Sequence, residues 1–298
     1  MLIETDLPNI LHRGKVRDTY AVDNDTLLMV ATDRISAFDV VLPSGIPGKG
    51  QVLNRISAFW FDKTAHIIPN HFLCLADSPD LKSQYGDNEF LITLPRDIAS
   101  QAMIVKKAER INIECIVRGY ITGSAWLEYC REGTVWGLPM PSDMVEGTPF
   151  PEPLFTPTTK AEEGHDENMT QDEVEDMVGK ELAQQLETIS KQVYAYADKY
   201  ASGQGIILAD TKMEFGLLDG NLILIDELLT PDSSRFWDVE GYAPGKSQPN
   251  YDKQFVRDYL SGQGWNQEPP APLLPDEVVS ETTERYQEAY KRLTAETI

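Results

Sequence analysis

The residues whose types could carry out chemistry are concentrated between positions 206 and 237. Carboxylates and cations alternate there with apolar residues, among them Asp210, Lys212, Glu214, Asp226, Glu227, Asp232 and Arg235. The apolar residues predict three strands, IILAD, TKMEFGLL and LILIDELL, of which the last two form a hairpin. Carboxylates that face each other across strands form a hard oxygen site suited to Mg²⁺ and nucleotide phosphates. The alternative is an exposed hairpin whose polar face carries solvated charges.

The register of this hairpin decides whether its carboxylates meet. A three-residue loop with Gly220 in the left-handed conformation places Glu214 opposite Asp226 and puts Lys212 on the same face. A two-residue loop would instead place Glu214 opposite Ile225 and turn Asp226 to the other face, because a slip of one residue reverses every side chain. We predict the first register, in which the two carboxylates lie across from each other.

A second group of residues could bind phosphate. Ser124 precedes the apolar-periodic run AWLEYCRE, and a serine in this place is an N-cap signal for a helix. A helix N-terminus attracts phosphate through its free N–H groups, and Arg118 just upstream could add a bidentate contact. Lys15 and Arg17 follow Gly14 at the start of a predicted strand and could cover a further phosphate. The alternatives are a capped helix with a surface arginine and a solvent-exposed basic strand end.

The elements that position these residues are mostly strands paired in hairpins. Residues 13–31 predict one hairpin, and FLITL, MIVKKAE and IECIVRGY predict further strands. Apolar spacing predicts a helix around 51–68, and Thr170 with Glu173 forms a capping box that opens an amphipathic helix to about Ala201. Because strands come in hairpins instead of alternating regularly with helices, the expected fold class is α+β.

Composition narrows the possible functions. The chain has 298 residues, a formal net charge of -22 and a sequence pI of about 4.5. Such a chain should repel nucleic acid and anionic membranes, so neither is expected as a partner. The cysteines, Cys74, Cys115 and Cys130, show no CxxC spacing and indicate free thiols in a reducing compartment. With no run of signal-peptide type and no run long enough to span a bilayer, a cytoplasmic protein is expected.

Six segments spread over nearly the whole chain form a recognisable set. They are GKVRDTY (14–20), ATDRISAFD (31–39), ECIVRGYITGSAW (114–126), HDEN (165–168), LADTKMEFG (208–216) and LIDELLTPDSSRFWD (224–238). In this order they resemble the family of SAICAR synthetases, also called phosphoribosylaminoimidazole-succinocarboxamide synthases. Several separate motifs in the right order are far more specific than any one of them alone.

The resemblance implies a ligase that uses ATP and Mg²⁺ to join L-aspartate to the carboxylate of carboxyaminoimidazole ribonucleotide (CAIR) in purine biosynthesis. A carboxylate is a poor electrophile because amine attack would expel oxide, whereas an acyl phosphate has a good leaving group. Phosphoryl transfer is mostly positioning and charge neutralisation, which are tasks for metal-bound acids and for Lys or Arg. The implied α+β fold has an N-terminal antiparallel sheet and a central ATP-binding sheet with helices, which enclose a cleft that resembles those of kinases and ATP-grasp enzymes.

The resemblance also implies roles for individual residues. Glu214 and Asp226 are expected to hold the nucleotide-bound Mg²⁺, and Asp210 a further metal beside the substrate carboxylate. Lys212 is expected to contact the transferring phosphate or that carboxylate, so that Lys212 and Asp210 are the expected catalytic residues. The other expected contacts are Lys15, Arg17 and Lys106 for ATP, Arg118, Ser124, Arg235 and Asp232 for the ribonucleotide, and Arg34, Ser36, Asp39, His165 and Asp166 for the imidazole and aspartate part of the pocket.

The expected organisation has three parts. They are an N-terminal β-rich nucleotide-covering domain (1–110), a central ATP and substrate domain (111–240) and a C-terminal helical part (241–298). The expected partners are the small molecules ATP, CAIR and L-aspartate, and a monomer is expected, with a homodimer as the alternative. A small-molecule kinase with the same metal–carboxylate site is the rival function, and it would consume ATP without aspartate. A nucleotide- or cation-sensing module is the non-enzymatic alternative, and it would bind without turnover.

Overall fold

The α+β class predicted from the sequence is confirmed in a computed structural model, which describes residues 1–160 and 166–298. The predicted site residue His165 lies outside the described residues. The strands are β1 (Ile10–Arg13), β2 (Arg17–Ala21), β3 (Thr26–Ala31), β4 (Arg34–Ala37), β5 (Val40–Gly45), β6 (Phe72–Leu75), β7 (Ala102–Lys106), β8 (Glu109–Tyr120), β9 (Thr134–Val135), β10 (Leu138–Pro139), β11 (Pro149–Phe155), β12 (Thr158–Thr159), β13 (Ile206–Leu218), β14 (Asn221–Ile225) and β15 (Ser234–Asp238). The helices are α1 (Lys49–Thr64), α2 (Leu81–Tyr85), α3 (Glu89–Ile92), α4 (Arg96–Ala99), α5 (Gly123–Glu132), α6 (Gln171–Val178), α7 (Lys180–Ser202), α8 (Gln254–Gly262) and α9 (Asp276–Thr294).

The N-terminal sheet is antiparallel and has the strand order β1-β2-β3-β7-β6. Its centre is the hairpin predicted for residues 13–31, in which Arg17 pairs with Ala31. The predicted helix near residue 51 is also confirmed as α1, whose buried face includes Val52, Ile56 and Trp60. These side chains share one hydrophobic core with buried residues of β3 and β7, so the helix covers one face of the sheet.

The central sheet is organised around β13. Strand β8 pairs with one edge of β13, while β14 and β15 pair with the other, and β11 and β12 extend the sheet beyond β8. The segments IILAD and TKMEFGLL, predicted as two strands, form this single strand of 13 residues. No glycine or proline interrupts the chain between 206 and 215, so nothing in this stretch favours a break.

The predicted register of the β13–β14 hairpin is wrong. Leu218 pairs with Asn221 and Glu214 pairs with Ile225, which leaves a loop of two residues. Both loop residues, Asp219 and Gly220, have positive φ values of 52° and 78°. Two consecutive left-handed residues form the turn whose twist matches that of the flanking strands, so the Asp-Gly pair favours the shorter loop.

Two helix predictions need correction. The capping box at Thr170 and Glu173 is confirmed, but the helix it opens ends at Val178, and a second helix starts after Gly179, whose φ is 83°. The segment FLITL, predicted as a strand, lies largely in the short helix α3, where the Asn88 side chain accepts a hydrogen bond from the Leu91 N–H. A short apolar run does not by itself distinguish a strand from a buried helical turn.

The largest hydrophobic core joins residues from all three predicted parts of the chain. It contains Met29 and Trp60 from the first part, Val117 and Phe215 from the second and Tyr286 from the third. Strand β8 also runs across the predicted boundary at residue 110. The division into three domains stays a prediction. Across the described part of the chain, no helix has the length and apolar character needed to cross a membrane.

Candidate active site

The pairing of β13 with its neighbours brings charged residues from distant parts of the chain together. Asp210 lies between Arg118 of β8 and Arg235 of β15, its partners in the two ladders. Further along β13, Glu214 lies opposite Glu114. Alternation along a strand places side chains two residues apart on one face, so Asp210, Lys212 and Glu214 follow one another along the same side of β13.

The first end of this row is a buried cluster of arginines. The Asp210 Oδ2 atom accepts a hydrogen bond from Arg118 Nη1 at 2.9 Å and another from Arg235 Nη1. Arg118 also donates to Ser124 Oγ at 3.1 Å and to Thr156 Oγ1 at 3.0 Å. Burial lowers the pKa of Arg118, Asp210 opposes that effect, and the nearby Arg235 charge adds to it. Asp210 thus pairs with the buried Arg118 and the partly buried Arg235, and Asp252 adds a second negative charge near Arg235. Because Arg257 also lies near Arg235, the cations outnumber these two carboxylates, and the arrangement attracts a further anion.

The start of α5 lies against this arginine cluster. Thr122, not Ser124, is the N-cap residue, so the predicted N-cap position is wrong by two residues, and Ser124 lies in the first turn. Gly123 has a φ of 56°, and a Cβ atom there would lie 2.2 Å from Arg235 Nη2. Only glycine combines this backbone conformation with so close an approach. The helix start and both arginines therefore face one space.

The second end of the row has two carboxylates, the buried Glu214 and the partly buried Asp226. Glu214 accepts a hydrogen bond from Lys160, and Asp226 Oδ2 accepts one from Arg17 Nη2 at 3.2 Å. Burial raises the pKa of Glu214, and the charge of Asp226 raises it further, so the two carboxylates interact although their register is not the predicted one. Burial would also raise the pKa of Asp226, but the Arg17 guanidinium is the first of several groups that together hold it below its ordinary value.

A local change in backbone conformation explains this proximity. Asp226 follows the last residue of β14 and has a φ of 65°. A left-handed residue interrupts the alternation of side chains between the two faces of a strand. The register of the hairpin therefore does not determine the side to which the Asp226 side chain points. The charges of Glu214 and Asp226 thus interact, although the predicted cross-strand pairing of the two residues does not form.

Lys212 lies between the two ends of the row. Its Nζ atom donates to Glu114 Oε1 at 2.5 Å. Burial lowers the pKa of Lys212, but Glu114, Glu214 and Glu227 together raise that pKa above its ordinary value, so this side chain is a fixed cation. The charge of Asp166 contributes to the raised pKa of Glu114, after burial as the main cause. Asp166, one of the predicted pocket residues, is therefore near the Lys212–Glu114 pair.

The other predicted site residues are held by protein contacts. Arg34 donates to both carboxylate oxygens of the buried Asp18, and Asp232 accepts from Lys49 at 2.8 Å and from Tyr286 at 2.7 Å. The exposed Lys15 and Asp39 pair at 2.5 Å, Ser36 is buried in β4, and Lys106 is exposed at the end of β7. Substrate contacts for these residues stay predictions.

The carboxylates fit Mg²⁺ in number and type only at one end of the row. Among residues 1–160 and 166–298, no group of three His, Cys, Asp or Glu side chains is arranged to hold a metal ion. Asp210 is the counterion of two arginines, which separates it from the Glu214–Asp226 pair, and a metal role for it stays a prediction. Mg²⁺ commonly takes one or two carboxylates together with substrate phosphates. Glu214 and Asp226 meet that requirement.

Several charged residues of the site were not predicted from the sequence. Glu114 and Lys160 contact predicted site residues, Lys253 lies near Asp232, and Arg257 lies near the arginine cluster. Burial lowers the pKa of Lys253 to about 8, and it lowers that of Arg257 with a further contribution from Arg235. The sequence signal was the basic pair four residues apart at the start of a helix, which places both side chains on one face.

Buried carboxylates in a row with a cluster of arginines are typical of enzymes that bind phosphorylated substrates. The family model described as SAICAR synthetase matches residues 10–272. A phosphoribosylaminoimidazole-succinocarboxamide synthase of Thermodesulfovibrio yellowstonii is 50% identical, over 99% of this chain and 99% of that protein. The corresponding protein of Nitrosomonas europaea is 50% identical over 97% of this chain and 96% of its own.

The fold leads to the same family. The solved structure of the Saccharomyces cerevisiae SAICAR synthase complexed with SAICAR has a TM-score of 0.86 and 40% sequence identity, and the match covers 100% of this chain and 99% of that one. A SAICAR synthetase complexed with ADP matches with a TM-score of 0.71 at 25% identity. The chain belongs to the SAICAR synthetase family.

Proposed function

We propose that the row of charged residues along β13 is the active site of an ATP-dependent ligase. The enzyme joins L-aspartate to the carboxylate of CAIR and forms SAICAR, ADP and phosphate in de novo purine biosynthesis. The observation that carries the assignment is full-length identity of about half to enzymes named for this product. The geometry adds an anion-binding arginine end and a cation-binding carboxylate end on one strand, which suits a reaction between a phosphorylated substrate and a metal-bound nucleotide.

The chemistry requires activation of the CAIR carboxylate. An oxygen of this carboxylate attacks the γ-phosphorus of ATP, the bond to ADP breaks, and an acyl phosphate forms. The aspartate amine then attacks the acyl carbon, the new C–N bond forms, phosphate leaves with the C–O bond electrons, and the amine loses a proton. Each step develops or moves negative charge, so preorganised cations supply most of the catalysis.

The arginine end of the row suits the ribonucleotide phosphate. Arg118 and Arg235 approach from two strands, Ser124 lies beside Arg118, and Gly123 lets α5 approach. Arg257 adds a third guanidinium in the same field. A phosphate monoester carries close to two negative charges and accepts bidentate hydrogen bonds from guanidinium groups. With the ester here, the ring carboxylate of the ribonucleotide would point along β13 toward Lys212.

The carboxylate end of the row suits the nucleotide. Glu214 and Asp226 would hold Mg²⁺, and the bound metal would supply positive charge to the ATP phosphates. Arg17 of the N-terminal sheet reaches Asp226 at 3.2 Å and Glu227 at 2.9 Å, so this sheet contributes a cation beside the same phosphates. Lys15 and Lys106 lie on that sheet or at its edge and are proposed ATP contacts. Lys212, between the two ends, is proposed to contact the transferring phosphoryl group.

The kinase alternative is not favoured by the relatives, and one assay separates it from the ligase. ADP release is measured with ATP, Mg²⁺ and CAIR, with and without L-aspartate. The ligase requires release that depends on both CAIR and aspartate, with appearance of the succinocarboxamide. Aspartate-independent release with a stable phosphorylated product would favour a kinase, and nucleotide binding without any release would favour a sensing module.

The cellular setting of the enzyme stays a prediction. Cys74 and Cys115 are buried free thiols and Cys130 is an exposed one, which fits the reducing conditions of the cytoplasm. A monomer, with a homodimer as the alternative, is expected. Sedimentation of the purified protein over a range of concentrations decides between them.

A further inference from the structure

His71 is a buried histidine that connects the two sheets beside the carboxylate pair. It lies in the connection between α1 and β6 and is 3% exposed. The backbone N–H of His71 donates to the Leu224 carbonyl at 3.0 Å, and the backbone carbonyl of His71 accepts from the Lys106 N–H at 2.7 Å. The Leu224 N–H in turn donates to the Pro69 carbonyl at 3.0 Å. His71 therefore bridges β14 of the central sheet and β7 of the N-terminal sheet.

The imidazole of His71 reaches the residue that presents the metal-site carboxylate. Its Nε2 atom lies 3.2 Å from the backbone carbonyl oxygen of Asp226. A carbonyl oxygen only accepts hydrogen bonds, so the hydrogen is on Nε2 and the histidine is the donor. The ring is held in turn by an edge-to-face contact with Phe61, with 5.1 Å between ring centroids. Its orientation is therefore determined by packing as well as by this hydrogen bond.

The accepted hydrogen bond is made at a point of unusual backbone conformation. Asp226 has a φ of 65°, in the left-handed region that residues with a Cβ atom rarely adopt. Such a conformation persists only where the surroundings hold it. The charge of this residue also acts on Glu214. The peptide that follows carries Glu227, and Arg17 binds the carboxylates of both residues.

A buried histidine more often satisfies a local hydrogen bond without any part in function. Here, however, the hydrogen bond ends on the carbonyl group of Asp226 itself, a proposed metal ligand in a left-handed conformation. We propose that His71 is a positioning residue, which holds the backbone of Asp226 in its left-handed conformation and so directs the carboxylate toward the bound cation and nucleotide. This proposal rests on the assignment of Asp226 as a Mg²⁺ ligand in the proposed function.

The test compares three replacements at one position. His71→Gln keeps an N–H donor close to the place of Nε2, His71→Asn ends its amide nearer the backbone, and His71→Leu removes the donor. Initial rates are measured at saturating CAIR, aspartate and ATP while free Mg²⁺ is varied, and Mg²⁺ binding to the enzyme–ADP complex is titrated directly by calorimetry. Loss of an outer hydrogen-bond partner typically weakens metal binding roughly 10- to 100-fold. We expect His71→Leu and His71→Asn to raise the Mg²⁺ concentration for half-maximal rate by about 10-fold. For His71→Gln, this concentration should be close to the wild-type value.

Two controls separate this role from general stability and from the proposed function. Ile98→Ala leaves a cavity in a separate hydrophobic core, which does not include Phe61, so it should lower Tm but leave the Mg²⁺ dependence unchanged. An unchanged Mg²⁺ dependence in all three His71 variants, with or without a lower Tm, overturns the proposal. If His71→Leu does not fold, the proposal is tested by the Mg²⁺ dependence of His71→Gln and His71→Asn, and equal values for these two variants overturn it. Asp226→Asn is measured in parallel, and if it too leaves the Mg²⁺ dependence unchanged, the metal assignment itself fails.

Discussion

Replacement of Arg118 by alanine tests the proposed ribonucleotide end of the site. Arg118 is 7% exposed and makes hydrogen bonds to Asp210, Ser124 and Thr156. Truncation removes one of the two guanidinium groups that Asp210 balances, while Arg235 remains bonded to that carboxylate. The buried charge of Asp210 thus keeps a partner, so the fold should be retained and the loss should appear mainly in anion binding.

The expected magnitude follows from the burial of this contact. Truncating one member of a buried, hydrogen-bonded charge pair costs about 2–4 kcal/mol in binding. That corresponds to roughly 30- to 700-fold in the Kd for CAIR. Calorimetric titration with CAIR measures this loss directly, and the KM for ATP serves as an internal reference that should stay close to the wild-type value.

Arg110→Ala is the matched control, because this arginine is exposed at the other end of the same strand. It should bind CAIR as the wild type does. Arg118→Lys, which keeps the charge but loses the planar fork, should fall between wild type and Arg118→Ala. An Arg118→Ala variant with a lower Tm but an unchanged Kd for CAIR would refute the reasoning, since Arg118 would then serve only the fold.

Three further predictions concern the rest of the site. Asp226→Asn should keep the fold but lose most turnover in the ADP-release assay, since a neutral amide is a poor Mg²⁺ ligand; near-normal rates would remove the metal assignment. Gly123→Ala should weaken CAIR binding, because the added Cβ meets Arg235 and the left-handed φ is strained; calorimetry with unchanged affinity would count against a shared phosphate site. Burial raises the pKa of Asp252 from its ordinary value of 3.8 to about 6, so its protonation stabilises the folded state below pH 4, and this contribution is lost as pH rises through 6. This pKa shift corresponds to roughly 3 kcal/mol. Urea unfolding between pH 4 and 7 gives the free energy of unfolding of wild type and Asp252→Asn, and the difference between the two proteins should change by about this amount over that range. A difference that does not depend on pH would contradict the prediction.

The local patterns of the sequence predicted the elements well where several signals agreed. The hairpin of residues 13–31 and the helix α1 have the expected places, and the capping box at Thr170 forms as expected. Errors arose where one local signal was ambiguous. The run FLITL fits a strand and a helical turn equally, and the glycine at position 179 permits either a continuous helix or a break.

The types of residue in the site were evident from the sequence, but their partners were not. The motif along β13 identified Asp210, Lys212 and Glu214 as a row on one face, because the period of a strand is a local property. That Asp210 would be bonded to an arginine 92 residues earlier and another 25 residues later depends on which strands become neighbours. No local pattern contains that information.

The sequence by itself determined the α+β class, most of the elements and the motifs that indicate the family, because caps, turns and periodicity act within a few residues. The tertiary structure decided the geometry of the site. Asp226 has a left-handed backbone conformation beside Glu214's charge, and it is contacted by Arg17 of the N-terminal sheet and by His71 of the segment before β6. Such a conformation is unfavourable on local grounds and persists because distant residues stabilise it once the two sheets have packed together.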